Sequence, residues 1–240
     1  MSRSAWQIVI TCEHGGNIVP TKWRHLFTSP QAVAALDSHR GWDPGALTTA
    51  KFLSKNLRCP LHFSTTTRLL VELNRSLHHP NLFSEFSRSL PLGDQAQLVE
   101  RFWQPHRTNV HRTISDLIRN DKRVLHLSVH SFTPVMDGIE RSTDIGLLYD
   151  PQRTSERAIC SQWKQHLCDL APEVSVHRNR PYKGISDGFT TALRMQFSDD
   201  DYAGIELEMN QRFFQSGRTS PSRSLTRVVA QTLITLMQRI

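Results

Sequence analysis

Short apolar runs alternate with longer amphipathic stretches along the 240-residue chain. Runs of strand length lie at Gln7–Cys12, Leu61–Thr66, Leu69–Leu73, Val124–Val129, Ile145–Tyr149 and Gly204–Met209. Several are nearly continuous in apolar residues, the pattern of strands covered by helices on both faces. Helical periodicity predicts helices at Pro44–Leu57, Gln95–Arg119, Arg153–Leu170 and Ser222–Ile240. Pro44 suits a first helical position after Asp43, and Pro105 breaks or kinks the second helix. This alternation predicts an α/β fold: one domain over residues 1–240, with a mixed, mostly parallel sheet covered by helices on both faces. Leu77–Gly93, rich in Pro, Ser and Leu, reads as a long loop or lid. There are no repeats and no low-complexity linker.

In such sheets the chemistry collects where strands end and loops begin. Four strand ends carry polar groups that a buried strand would otherwise avoid. Gln7–Cys12 runs into Glu13-His14-Gly15-Gly16, Leu69–Leu73 into Asn74-Arg75, and Val124–Val129 into His130-Ser131. The last strand holds Glu206 and Glu208, two positions apart and so on one face. A carboxylate inside a buried strand is costly unless it is paired or serves a site. Two strand-end histidines with carboxylates nearby suit a catalytic zinc, which takes three N/O protein ligands and leaves a position for water. The third ligand could be Asp37, His39 or Asp43. Asp43 precedes Pro44, so it could equally cap the helix. The glycines after His14 let the backbone turn tightly beside a metal and substrate. His39, His78, His79, His106, His111, His166 and His177 fall in helical or loop segments and read as surface residues.

Charge and cysteine content narrow the picture. With 29 Lys and Arg against 22 Asp and Glu, the net charge is +7. The basic residues are scattered, Asp121-Lys122-Arg123 and Arg178-Asn179-Arg180 being the densest groups. Neither an RNA-binding signature nor zinc-finger spacing is present, which argues against nucleic acid. An anionic small molecule can use the same charge. No apolar run approaches the ~20 residues of a membrane helix, and the first residues lack the apolar core and cleavage site of a signal peptide. Four cysteines without a CxxC pair suit reduced thiols, so the expected location is the cytoplasm.

Six blocks, TCEHGGNIVP, HRGWDPGA, TRLLVELNRSL, SVHSFTP, NRPYKG and IELEMNQRFF, lie between Thr11 and Phe214, most of the chain. In this order they resemble the N-formylglutamate amidohydrolase family. They are also similar in arrangement to the zinc-dependent N-acetylmuramoyl-alanine amidases. Both families imply an α/β fold related to zinc carboxypeptidases and one zinc per chain. The resemblance implies His14, Asp43 and His130 as zinc ligands and a late Glu as general base. Glu208 fits that position because Glu-x-x-Gln-Arg continues as Glu208-Met209-Asn210-Gln211-Arg212. Glu206 is then a spare, or a partner in a buried salt bridge. Arg75, within Leu73-Asn74-Arg75, resembles the position that takes the substrate carboxylate. Asn74, Arg68 and Tyr182 are further substrate-binding candidates, with Arg180 behind them. The implied activity is hydrolysis of a small N-acyl amino acid, N-formylglutamate among them, by a metal-activated water. The first block reads CEHGGN where the histidine-degradation enzymes carry a Pro-His-Ser-Gly form, which leaves the substrate open. Two rival readings are a hydrolase using Cys12 as nucleophile with His130 as base, and a non-catalytic or nucleic-acid-binding protein.

Overall fold

A computed structural model describes residues 5–214 and 221–240. The strands are β1 (Trp6–Cys12), β2 (Leu61–Phe63), β3 (Arg123–Phe132), β4 (Val135–Met136), β5 (Ile139–Glu140), β6 (Ile145–Leu148), β7 (Val176–Arg178) and β8 (Tyr202–Asn210). The helices are α1 (Pro30–Leu36), α2 (Ala46–Leu57), α3 (Leu92–Leu98), α4 (Gln104–Arg119), α5 (Thr154–Leu170), α6 (Phe189–Arg194) and α7 (Pro221–Met237). Six strands form one sheet in the order β2-β1-β3-β8-β6-β7, parallel except for β6 against β8. β4 and β5 form a separate hairpin. The sheet is thus mixed and mostly parallel, as the alternating pattern predicts. Among the described residues no helix is long and apolar enough to cross a membrane.

Strand alternation gives the sheet two unlike faces. On one, Ile8, Ile10, Cys12, Leu125, Leu127, Val129, Ile205, Leu207 and Met209 pack with residues of α2, α5 and α7 in an apolar core. The other carries His126, Ser128 and His130 of β3, in register with Gly204, Glu206 and Glu208 of β8. Its lower part is sealed by Val110 and Ile114 of α4 and Phe189 and Leu193 of α6. A row of polar side chains therefore climbs one face of the central strands toward their carboxyl ends.

Several predicted elements take a different form. Leu69–Leu73 is a chain of buried turns, not a strand: Leu70 N donates to Thr67 O and Arg75 N to Glu72 O. Its leucines and valine pack with Trp23, Phe27, Leu82 and Leu98 in a second core, and a short apolar run fits a buried turn as well as a strand. The helix after Asp43 begins at Ala46, not Pro44. Gly45 caps it at φ 85°, a conformation that favours glycine. The long second helix is interrupted by a π turn at Val99–Trp103 just before Pro105, which absorbs the hydrogen bond that proline cannot make. Residues 74–91 form turns and bends. The helices α1 and α6, strand β7 and the β4–β5 hairpin are too short to leave a periodic signal.

Glu156 of α5 ties the helices to the sheet. Fully buried, it accepts from Arg194 Nε of α6 at 2.9 Å, from Gly204 N of β8 at 2.9 Å and from Asp150 N at 2.8 Å. Removing it leaves the buried Arg194 guanidinium without its counter-charge. Glu156→Ala is expected to lower unfolding stability by about 3–5 kcal/mol, read from urea denaturation. A loss below about 1 kcal/mol would show that Arg194 finds compensation elsewhere.

Candidate metal centre

Three side chains meet at the carboxyl end of β1 and β3. His14 follows β1, His130 lies in the last turn of β3's pleat, and Asp43 sits in the loop before α2. One ligand atom from each lies within 4.8 Å of the others, and all three residues are buried. The loop after β1 comes this close because Gly15 and Gly16 pass against the chain beyond β2. A Cβ on Gly15 would fall 2.7 Å from Ser64 O, and one on Gly16 2.8 Å from Thr65 O. Asp43 does not cap α2. Its backbone N donates to His14 O at 2.9 Å, and its Oδ2 lies 2.9 Å from His130 Nδ1 and 3.3 Å from His14 Nδ1.

The outer nitrogens of both imidazoles are already engaged. His14 Nε2 donates to Glu72 Oε1. His130 Nε2 donates to Ser128 Oγ at 2.9 Å, and Ser128 Oγ donates to Glu13 Oε2 at 2.7 Å. These bonds orient each ring so that its Nδ1 faces Asp43, the nitrogen that a metal would take in exchange for its proton, and such outer partners are the usual support of a metal-binding histidine. Glu72 is held in turn by Arg68, whose Nε donates at 2.6 Å, and by Asn74 N at 3.0 Å. His106 Nε2 lies 3.3 Å from Glu13 Oε1 with its side chain 6% exposed. His106 is therefore not the surface residue its helical position suggests, because its face of α4 turns toward the sheet.

The buried charges of the cluster lean on one another. Burial opposes ionisation of Asp43, Glu72 and Glu13. Even so, His14 and His130 hold Asp43 below the usual carboxylate range, Arg68 and His14 do so for Glu72, and His106 and His130 for Glu13. Burial also disfavours charge on His130, yet the hydrogen bond and charge of Asp43, with the charges of Glu208 and Glu13, push it up to about 10. Burial, reinforced by the Asp43 and Glu206 charges, pushes Glu208 up to about 8. Glu208 Oε2 is buried without a hydrogen-bond partner. Two Nδ1 atoms and a carboxylate oxygen, all buried and within 4.8 Å of one another, form a donor set that fits a divalent cation such as zinc.

The nine residues singled out from the sequence, His14, Asp43, Arg68, Asn74, Arg75, His130, Tyr182, Glu206 and Glu208, all line one cavity of about 250 Å³. Their surroundings differ. Arg75 donates to Asp187 O and has no acidic partner among the described residues. Arg68 is committed to Glu72 and Asp43. Asn74 Oδ1 accepts from Phe189 N at 2.7 Å, which leaves its amide NH₂ free to donate. Tyr182 is 41% exposed, and its hydroxyl accepts from Arg141 at 3.0 Å. Arg180 lies outside this lining. Of the alternative third ligands, Asp37 is exposed beside Asn17, and His39 is exposed at the cavity edge. Glu206 is not the salt-bridge partner expected as its structural role. Among the described residues it has no ion pair, only a hydrogen bond from Thr190 Oγ1 at 2.9 Å. Cys12 packs on the apolar face, away from His130, and burial with the Glu13 and Asp43 charges raises its thiol well above the ordinary range. It is unsuited to act as a nucleophile.

The model of the N-formylglutamate amidohydrolase family matches residues 6–215. The chain belongs to this family. It is accordingly a hydrolase of amide bonds, an amidohydrolase acting on N-acyl amino acids. Gene product Atu2144 of Agrobacterium tumefaciens is similar in structure, with TM-score 0.76 and 25% identity over 97% of this chain and 89% of that one. N-formylglutamate amidohydrolase of Ralstonia eutropha JMP134 shares the fold, with TM-score 0.75 and 16% identity over 100% of this chain and 95% of that one. No curated protein matches the chain.

The sequence reading of this amidohydrolase did not single out Glu72, Ser128 or His106 and named Glu13 only as a polar group at a strand end; Glu72 and Ser128 hold the imidazoles, with Glu13 and His106 behind Ser128. Glu72→Gln is expected to weaken binding of a divalent cation by roughly 10–100-fold while leaving stoichiometry intact. Competition with a chromogenic chelator reads this directly. Unchanged affinity would remove Glu72 from the support of His14.

Proposed function

We propose that this amidohydrolase holds one zinc through His14, Asp43 and His130 and uses it to hydrolyse a small, carboxylate-bearing N-acyl amino acid, N-formylglutamate being the family's example. The observation that carries this reading is the convergence of two Nδ1 atoms on the Asp43 carboxylate, with both Nε2 atoms already bonded elsewhere. When bound, zinc supplies a Lewis acid that polarises the amide carbonyl and lowers the pKa of a water toward ~7. Glu208 has a free buried carboxylate oxygen beside these ligands. It takes the proton of the attacking water and passes it to the departing nitrogen. A cation beside it also favours its ionised form, the form a base needs. Arg68 brings positive charge to the cavity wall and meets the charge that develops on the carbonyl oxygen. Arg75, without an acidic partner, grips the substrate carboxylate through its planar fork. The free amide NH₂ of Asn74 and the ring of Tyr182 complete the binding wall. The overall change converts an amide and water into a carboxylate and an ammonium. The unbridged cysteines suit a reducing compartment, and the cytoplasm is our assignment.

Two sets of variants test this reading. His14→Ala or His130→Ala should abolish stoichiometric zinc, measured by elemental analysis, without unfolding the chain; full zinc in His14→Ala would break the ligand set. Glu208→Gln should keep zinc and lower kcat by roughly 10²–10⁴-fold.

Arg75→Lys tests the substrate side. Losing the bidentate fork should raise KM for a carboxylate-bearing substrate by roughly tenfold or more, corresponding to ~1.5–3 kcal/mol for a charge-assisted bond, with zinc content unchanged. An unaltered KM across several acidic substrates would place Arg75 outside the substrate site.

A further inference from the structure

Glu206 is a carboxylate in the cavity wall that the reaction as described does not use. It stands two residues before Glu208 on the same face of β8. One oxygen, Oε1, is fixed by Thr190 Oγ1. No cation among the described residues pairs with it. Arg194, whose positive charge Glu206 stabilises from a distance, donates instead to Glu156, Gly184 and Gly204. A half-buried carboxylate with one donor and no counter-charge is costly unless something entering the cavity satisfies it.

Its neighbours say which part of an entering substrate that is. Beyond Glu208 on one side lies the His14, Asp43 and His130 cluster. On the other side is the segment that carries the anion-binding arginine. A Cβ on Gly188 would lie 3.1 Å from Glu206 Oε1 and 3.4 Å from Asn74 Oδ1. Arg75 donates to the carbonyl of Asp187, the residue before Gly188. Glu206 thus sits between the base and the carboxylate grip. In an N-acyl amino acid the nitrogen occupies the matching place, one bond from the scissile carbonyl carbon and two from the carboxylate carbon. That nitrogen carries one hydrogen before cleavage. Afterwards, with the C–N bond broken and both of the water's protons passed to it, the first through Glu208 and the second from the hydroxyl left on the carbonyl carbon, it becomes an ammonium. Both forms are donors, and the second is a cation.

We propose that Glu206 is a substrate-orienting residue that accepts the N–H of the scissile amide and then pairs with the product ammonium. The inference rests on the amidohydrolase reading above. It explains why a second glutamate lies on the base's own face without a protein partner. It also explains why position 188 is glycine, since a side chain there would press on the Glu206 oxygen. Glu206→Gln is a close test. Its carbonyl can keep the Thr190 hydrogen bond, which turns the amide NH₂ toward the cavity, so that a donor then faces a donor.

The experiment compares an amide substrate with an ester in which oxygen replaces the N–H, for example N-formylglutamate and O-formyl-2-hydroxyglutarate. Both are assayed with the zinc-loaded wild type and Glu206→Gln, with metal content and melting temperature checked for each. The amide should lose at least tenfold in kcat/KM on substitution and the ester less than threefold. Equal losses on both would make Glu206 a purely structural residue. A second measurement does not depend on turnover. Calorimetry with the zinc-loaded wild type should show L-glutamate binding at least tenfold more tightly than 2-hydroxyglutarate, and Glu206→Gln should erase the difference. Equal wild-type affinities would overturn the proposal even if neither substrate were hydrolysed. Absence of hydrolysis with the ammonium preference intact would count against the amidohydrolase reading alone.

Discussion

Four carboxylates, Glu13, Asp43, Glu72 and Glu208, are buried around three imidazoles, His14, His106 and His130, and one guanidinium, Arg68, and the rest of the site depends on how these groups compensate one another. Buried like charges are tolerated only where hydrogen bonds or opposite charges compensate them. Here the compensation is shared. Ser128 and His106 serve Glu13, Arg68 and Asn74 N serve Glu72, and the histidines serve Asp43. Glu208 alone has a buried oxygen with no partner in this group. A divalent ion among His14, Asp43 and His130 would sit beside this one carboxylate of the group that still has capacity to move a proton.

The sheet makes this concentration of charge possible by separating its two faces. The parallel register sets His130 beside Glu208 and Ser128 beside Glu206. Strand alternation sends Cys12, Val129 and Leu207 to the opposite, apolar core. Stability and chemistry are thereby divided between faces. The apolar face anchors three helices, whereas the polar row is covered low down by α4 and α6 and opens only at the carboxyl ends. The same division explains the fate of Cys12. It is two residues from His14 in the chain, but its side chain points into the core.

What could be read from the sequence follows the range of each interaction. The central strands are legible because burial on both faces makes them continuous apolar runs, and His14, His130 and Glu208 stand out as polar groups where such runs end. Leu69–Leu73 has the same composition but folds as turns, since an apolar run of five residues records burial without recording conformation. Local spacing left Asp43 balanced between cap and ligand. The structure removes the cap, and the contact that draws Asp43 into the cluster is with His130, 87 positions away. Glu72 and His106 were invisible for the same reason: their contacts with His14 and Glu13 span 58 and 93 positions. A glutamate inside an otherwise apolar run was the one signal that could have exposed Glu72.

That buried turn links the two halves of the site. Within eight residues, Arg68 bonds Glu72, Glu72 accepts from both His14 and Asn74 N, and Arg75 reaches the cavity beside Asp187. The same backbone therefore orients a candidate metal ligand and positions the arginine proposed to grip the substrate carboxylate. A regular strand would send successive side chains to opposite faces, whereas here Arg68, Asn74 and Arg75 line one cavity and Glu72 supports it from behind. The turn conformation thus has a functional consequence. It fixes the separation between the His14 support and Arg75, so under the proposed function a shift in this segment would disturb metal affinity and substrate binding together.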